Sequence, residues 1–283
     1  MEIRSVNFHV LRACDAKCRF CFATFRDDPG RLSTRDAEHV IRLVRDAGAE
    51  KLNFAGGEPT LHTDIGRLIR LAKSLGMTTS IVTNGRRLDA LLDGHADVLD
   101  WVGLSVDSAD ETVQVELGRG DGDHIARAVA LADRCHALGV RVKLNTVVSA
   151  STWREDMSTL VRRIAPERWK VFQVLRVVGQ NDGSVEPLLV TAAMFESFLE
   201  RHRTLDPVAE SNEAMTDSYA MIDPLGRFYG DSGGVHRVSA PILEVGVEQA
   251  LQSVGFTPEK LEARKGIYQW ARQPKHALRI IER

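Results

Sequence analysis

Three of the four cysteines in this chain fall within eight residues, as CDAKCRFC at positions 14–21, a C-x-x-x-C-x-x-C spacing. Thiolates bind zinc and iron–sulfur clusters. Cys14, Cys18 and Cys21 on one short loop can hold three irons of a 4Fe-4S cluster and leave the fourth iron without a protein ligand. Electron-carrying ferredoxins supply four cysteines per cluster. An incomplete set therefore points to an open coordination position and to catalysis, as it does when catalytic zinc sites are told from structural ones. The other reading of these residues is a structural zinc completed by Cys135 or by a histidine such as His9. Cys135 falls on the apolar side of an amphipathic stretch, where a free cysteine behaves as a small buried hydrophobe. A disulfide framework would spread its cysteines along the chain and belongs to an oxidising compartment.

The cysteine loop follows a strand candidate at 5–10, and further candidates lie at 51–55, 79–83, 101–106, 140–148 and 169–175. All are rich in β-branched or aromatic residues and bounded by Gly, Asn, Asp or Pro. Amphipathic stretches at 33–47, 63–75, 86–93, 123–138 and 153–165 alternate with them. Ser33 with Asp36 caps the first and Gly48 ends it; Thr63 and Gly76 bracket the second. Six alternating β and α units over 1–178 predict a parallel sheet with right-handed crossovers. Strands covered on both faces are nearly all apolar. Here Lys51, Asn53 and Ala55 share a face, as do Arg141, Lys143 and Asn145, and Arg168 with Lys170. Polar, cationic faces on several strands predict a sheet curled into a partial barrel around a wet cavity. Residues 179–283 read as an extension capping the barrel, with a helix at 191–203 and a glycine-containing loop at 226–241.

Composition sets the outer bounds. The 283 residues are 43% apolar and 27% charged, which excludes disordered and low-complexity classes. A net charge of −2 gives no reason to expect a nucleic-acid or anionic-membrane partner. No apolar run reaches the roughly 18 residues of a membrane span, and the N-terminus has no signal-peptide pattern. A cytoplasmic, monomeric globular protein is expected.

CDAKCRFC, with Phe20 before the last cysteine, resembles the signature of the radical S-adenosylmethionine (SAM) superfamily. FAGGEP, Phe54 to Pro59, resembles the GGE motif of those enzymes, which have a partial barrel of six β/α units. SVNF at 5–8, KLNFAGGEP at 51–59, IVTNG at 81–85 and GRG at 118–120 look like the viperin family within it. So do ERWKVFQ at 167–173, ESN at 210–212, DSY at 217–219 and EVGVEQA at 244–250, all in the family's order.

The resemblance implies an enzyme that dehydrates a nucleoside triphosphate to its 3′-deoxy-3′,4′-didehydro form, a polymerase chain terminator of antiviral or antiphage defence. It implies one 4Fe-4S cluster, SAM as the source of a 5′-deoxyadenosyl radical that takes the 4′ hydrogen, and an electron donor such as flavodoxin or ferredoxin. Carried over by motif, Cys14, Cys18 and Cys21 hold the cluster; Gly56, Gly57, Glu58, Asn84, Ser105 and Arg119 meet SAM. Lys51, Lys143, Arg168 and Lys170 match triphosphate-binding positions, and Asn7 and Asn145 further nucleotide contacts. A like-charged cluster inside a barrel is costly unless an anion fills it, so the four cations support that reading independently. Tyr219 matches a tyrosine beside the ribose and is the candidate donor of the late proton; Glu210 and Asn212 match without an assigned role.

The sequence also departs from the animal pattern. Ala55 stands where animal members have serine, the chain begins at the catalytic domain without their amphipathic anchor, and it ends RIIER without their terminal tryptophan. The 226–241 segment, GRFYGDSGGVHRVSAP, differs as well and is the segment expected to approach the base, so CTP, UTP and GTP all stay open as substrates. Other enzyme readings are peptide maturation or GTP cyclisation, which usually use auxiliary-cluster cysteines; none lies beyond Cys135. A non-catalytic iron–sulfur or zinc sensor would leave GGEP and the cations without a purpose.

Overall fold

The computed structural model describes residues 3–271. Six parallel strands form its centre: β1 (Ser5–His9), β2 (Lys51–Ala55), β3 (Thr78–Thr83), β4 (Trp101–Ser105), β5 (Arg141–Val148) and β6 (Arg168–Gln173). They pair in sequence order. Helices α1 (Thr34–Asp46), α2 (Ile65–Ser74), α3 (Leu88–His95), α4 (Glu111–Glu116), α5 (His124–Leu138) and α6 (Ser158–Ile164) lie in the crossovers. Their apolar stripes bury Val40, Ile41, Leu68, Ile69, Leu131 and Val161 against the outer face of the sheet, in one continuous core. Ser33 accepts a bond from the Asp36 backbone N–H, as its spacing predicts, and Gly139 closes α5 in the left-handed conformation that favours glycine.

The remaining strands extend both edges of this sheet. Strand β7 (Val208–Glu210) pairs with β6; β8 (Ala220–Ile222) runs parallel to β1; β9 (Arg227–Gly230) and β10 (Arg237–Pro241) follow antiparallel, giving the order β10-β9-β8-β1-β2-β3-β4-β5-β6-β7. The sheet curls enough for Tyr219, just before β8, to reach Lys170 on β6 at 2.7 Å, although the two strands belong to opposite halves of the order. A parallel sheet bent this far is a partial barrel.

Three expectations need correction. Residues 226–241 are a β-hairpin rather than a loop: β9 and β10 are too short and glycine-flanked to show a strand period, and β8 supplies their partner from elsewhere. Thr63 does not cap α2; Asp64 is the N-cap, its carboxylate making no bond to the helix's own N–H groups but accepting from the Thr34 hydroxyl at 2.7 Å and the Thr63 hydroxyl at 3.4 Å. The last helix of the core starts at Ser158 rather than 153, after turns held by Thr152 and Ser149, and α4 was not foreseen. The terminal RIIER lies outside the described residues.

Candidate functional site

The inner face of the barrel encloses a cavity of about 300 Å³. Parallel strands place all their C-terminal ends on one rim, and the loops there carry the first group of site residues. Cys14, Cys18 and Cys21, in the loop after β1, line that rim with Gly56, Gly57 and Glu58 after β2, Asn84 after β3, Ser105 at the end of β4, and Arg119 after α4. The second group sits nearer the strand starts: Lys51 opens β2, Arg168 opens β6, and Lys143 and Lys170 are third in β5 and β6. Asn7 and Asn145, mid-strand, lie between, and Tyr219 closes the gap between the sheet edges. All the residues given a role from the sequence thus meet in one cavity, while Glu210 and Asn212, matched without a role, do not line it. Along β2 the backbone runs about 13 Å from Lys51 to Ala55, four strand intervals at about 3.3 Å each.

The two glycines of GGEP do something the sequence alone did not show. A Cβ at Gly57 would lie 2.2 Å from the Ala13 carbonyl oxygen and 2.3 Å from that of Arg12. At Gly56, in a conformation with φ of 156°, it would lie 2.7 Å from the Leu11 carbonyl oxygen. The cysteine loop is therefore seated against bare backbone, and Gly57 and Glu58 donate their N–H groups to Leu11 and Ala13. Glu58 is buried, and its carboxylate accepts from Thr60 N–H and Oγ1, Thr83 Oγ1 and Asn84 N–H. Burial pushes its pKa up while these bonds hold it down. Its carboxylate works as the clasp that fixes the Asn84 turn. Asn84 in turn donates to Asp15, inside the cysteine loop, at 2.7 Å.

Burial raises the pKa of all three thiols, that of Cys21 to about 11. A bound metal centre overrides this by deprotonating its ligands outright. Arg119 adds fixed positive charge beside them: it pairs with buried Asp107 at 2.6 Å and lies over the Phe20 ring. Burial opposes its charge, but Asp107 and Cys18 hold the guanidinium pKa well above its ordinary value. Among the described residues no three His, Cys, Asp or Glu gather closely enough for a single metal ion, whereas a four-iron cluster spreads its thiolates over separate corners. Cys135 is fully buried in the core, its thiol pushed up to about 12 by burial, and does not line the cavity. His9 does line it, but sits edge-on to Phe25 and Tyr229, and burial with nearby His236 lowers its pKa to about 3. The donor set fits a cluster with an open iron.

The cationic end is a connected network. Lys51 donates to Tyr268 Oη at 2.9 Å, Lys143 to Ser80 Oγ at 3.1 Å, and Lys170 to Tyr219 Oη at 2.7 Å. Glu210, fully buried, pairs with Lys170 at 2.6 Å and Arg264 at 3.3 Å and accepts the Tyr219 hydroxyl. Burial raises the Glu210 pKa, but the two cations outweigh it and lower the pKa on balance. Burial and the neighbouring cations lower the lysines, Lys143 to about 7 and Lys170 to about 8, with Lys51 well below its ordinary value. The Arg168 Nε is buried with no partner among the described residues. One buried carboxylate thus faces five cations, an imbalance that a polyanion would correct.

Arg264, Tyr268 and the Glu210 role escaped the sequence reading. Arg264 and Tyr268 lie in the C-terminal tail, which has no strand or helix period pointing toward the barrel. Asn53, which donates to Asn7 at 2.9 Å, was recoverable, since it shares a face with Lys51.

The Radical SAM superfamily profile matches residues 8–163. The chain is 40% identical over 279 residues to an S-adenosylmethionine-dependent nucleotide dehydratase of Flammeovirga pacifica, with 95% of this chain and 96% of that protein aligned. It is 39% identical over 293 residues to a protein of the same name from Lacinutrix mariniflava, covering 99% of this chain and 62% of that longer protein. Streptococcus suis SuiB bound to S-adenosylmethionine superposes with a TM-score of 0.68 at 18% identity, over 93% of this chain and 68% of that one, a likeness of fold alone.

Proposed function

This chain belongs to the radical SAM superfamily and, within it, to the S-adenosylmethionine-dependent nucleotide dehydratases, and from that premise we propose that it converts a ribonucleoside triphosphate to its 3′-deoxy-3′,4′-didehydro analogue. One observation carries the reading: a single cavity has three thiols at one rim and five buried or half-buried cations at the other. The cations take the triphosphate, which fixes the distance from the phosphates to the opposite rim and sets the ribose beneath it.

Cys14, Cys18 and Cys21 would hold the 4Fe-4S cluster, and Gly56, Gly57, Asn84, Ser105 and Arg119 would border SAM. Cluster and SAM, when bound, supply the one-electron chemistry that removes the ribose 4′ hydrogen. The rest falls to the chain. Asn7 and Asn145 orient the sugar, and the enclosing barrel keeps other hydrogen donors away from the reacting carbon. Loss of the 3′ hydroxyl as water needs a proton. Tyr219, which lines the cavity, would give one, and Lys170, bonded to its oxygen, would replace it. The product lacks the 3′ hydroxyl that a polymerase needs for the next phosphoryl transfer, so it terminates a growing strand. An external reductant such as flavodoxin or ferredoxin supplies the electrons.

Two substitutions separate the ends of the cavity. Cys18→Ala is expected to abolish both the iron–sulfur absorbance and SAM cleavage. Lys170→Ala is expected to keep both and to raise KM for the nucleotide by about 10- to 100-fold, the range for losing a hydrogen bond to a charged group. An unchanged KM would remove Lys170 from the cradle.

A further inference from the structure

The cavity is chemically one-sided. Its cations come from β2, β5, β6 and the tail, whereas the wall built by Met221 of β8 and by Phe20, Phe22 and Ala23 of the cysteine loop is apolar. There Met221 and Tyr229 cluster with Ala23 and Phe25, and Phe22 and Tyr219 pack against them. A nucleotide that puts its phosphates on the cations turns its base toward this wall, which offers flat apolar surface.

One acid interrupts the apolar wall. Asp231 follows β9 directly and lines the cavity, and it is only 6% exposed. Tyr229, two residues earlier, belongs to the apolar cluster and pairs across the sheet with Met221, which lines the cavity, so Asp231 stands at the edge of that wall where β9 gives way to the turn at Ser232–Gly234. No described residue forms an ion pair with it. Burial and neighbouring Asp217 raise its pKa to about 6, so at neutral pH most of it is ionised, eased by its own N–H, that of Asp217, and Lys260 at longer range. A buried carboxylate without a cation, facing a cavity, calls for a hydrogen-bond donor from whatever fills that cavity.

Resting on the dehydratase reading, we propose that Asp231 reads the nucleobase by accepting from an exocyclic amino group, so that amino-bearing nucleotides are taken ahead of UTP. An ionised carboxylate accepts only. The 4-amino group of cytosine, the 2-amino and N1–H of guanine, and the 6-amino group of adenine can all donate to it. Uracil sets a carbonyl oxygen where cytosine has its amino group, placing lone pair against lone pair.

The test compares nucleotides that differ at this group, using the reconstituted enzyme and reading dehydrated product by mass spectrometry. CTP is set against UTP, and GTP against inosine triphosphate, which lacks the 2-amino group. At least one amino-bearing member is expected to lead its pair by about tenfold or more in kcat/KM, the discrimination of one good base contact. Asp231→Asn, whose amide can donate to a carbonyl, is expected to bring that ratio close to one with unchanged iron content. Equal kcat/KM within both pairs, or an unaltered ratio in Asp231→Asn, would overturn the assignment. If that variant fails to fold, the wild-type comparison decides alone. If SAM is cleaved and no nucleotide is dehydrated, the dehydratase reading itself falls, and this inference with it.

Discussion

Lys143 and Lys170 hold their ammonium groups inside the barrel, where burial and neighbouring cations, Lys170 for the first and Arg264 for the second, push their pKa values down to about 7 and about 8, the second against the pull of Glu210. Both shifts are downward from the ordinary lysine value. Below pH 7 the empty cradle keeps these protons; above it, the cradle sheds protons that a bound triphosphate would draw back. Nucleotide affinity is therefore expected to fall steadily as pH rises from about 6 toward 9. Titration calorimetry at pH 8 in buffers of different ionisation enthalpy is expected to show uptake of roughly one to two protons per nucleotide bound. Absence of uptake, with pH-independent affinity, would mean that the empty cradle stays fully charged. At the level of single side chains the sequence told a good deal: Lys51, Lys143, Arg168 and Lys170 sat on compatible strand faces, and their convergence follows from the pleat. It could not tell that Glu210 holds Lys170, Arg264 and Tyr219 together, because three-residue β7 has no pattern to set its facing.

The seat of the cysteine loop belongs to whole elements. Glycines follow strand β2 because the residues before Cys14 cross there, carbonyl oxygens first, and the Cβ positions are already filled by backbone. Gly57→Ala cannot be absorbed by a side-chain rotation, since the obstruction is the Ala13 and Arg12 main chain. The variant is expected to retain its helical circular dichroism but to bind several-fold less iron on reconstitution, because the loop must lift from its seat. Wild-type iron content would show that the loop is held elsewhere. The long helices and the six central strands were visible from period and caps. The hairpin at 227–241 and strand β8 were not, since three- to five-residue strands acquire their identity from partners, here β1 and one another.

Taken as a whole, the described chain brings its early and late residues together, Arg4 lying over the Trp270 ring at 5.6 Å. The tail returns beneath the barrel, so that Arg264 covers the Tyr219 ring at 3.6 Å, Tyr268 meets Lys51 and Arg168, and the Trp270 carbonyl accepts from Trp101 Nε1 at 2.8 Å. Such long-range closure has no local signature, which is why the cradle looked like four cations in the sequence and is five in the fold. No helix among the described residues is long and apolar enough to cross a membrane. On the proposed reading, the thiol rim and the cationic end of this one cavity would form a single reaction chamber that a nucleotide would span. The decisive experiment is anaerobic incubation of the reconstituted protein with SAM, dithionite and, in separate vessels, CTP, UTP, GTP and ATP, following 5′-deoxyadenosine and nucleotide masses together. The expected result is 5′-deoxyadenosine accompanied by a triphosphate lighter by one water from at least one nucleotide. Equal, slow 5′-deoxyadenosine formation in all four vessels with no dehydrated triphosphate would contradict it, leaving a radical enzyme whose substrate is something else.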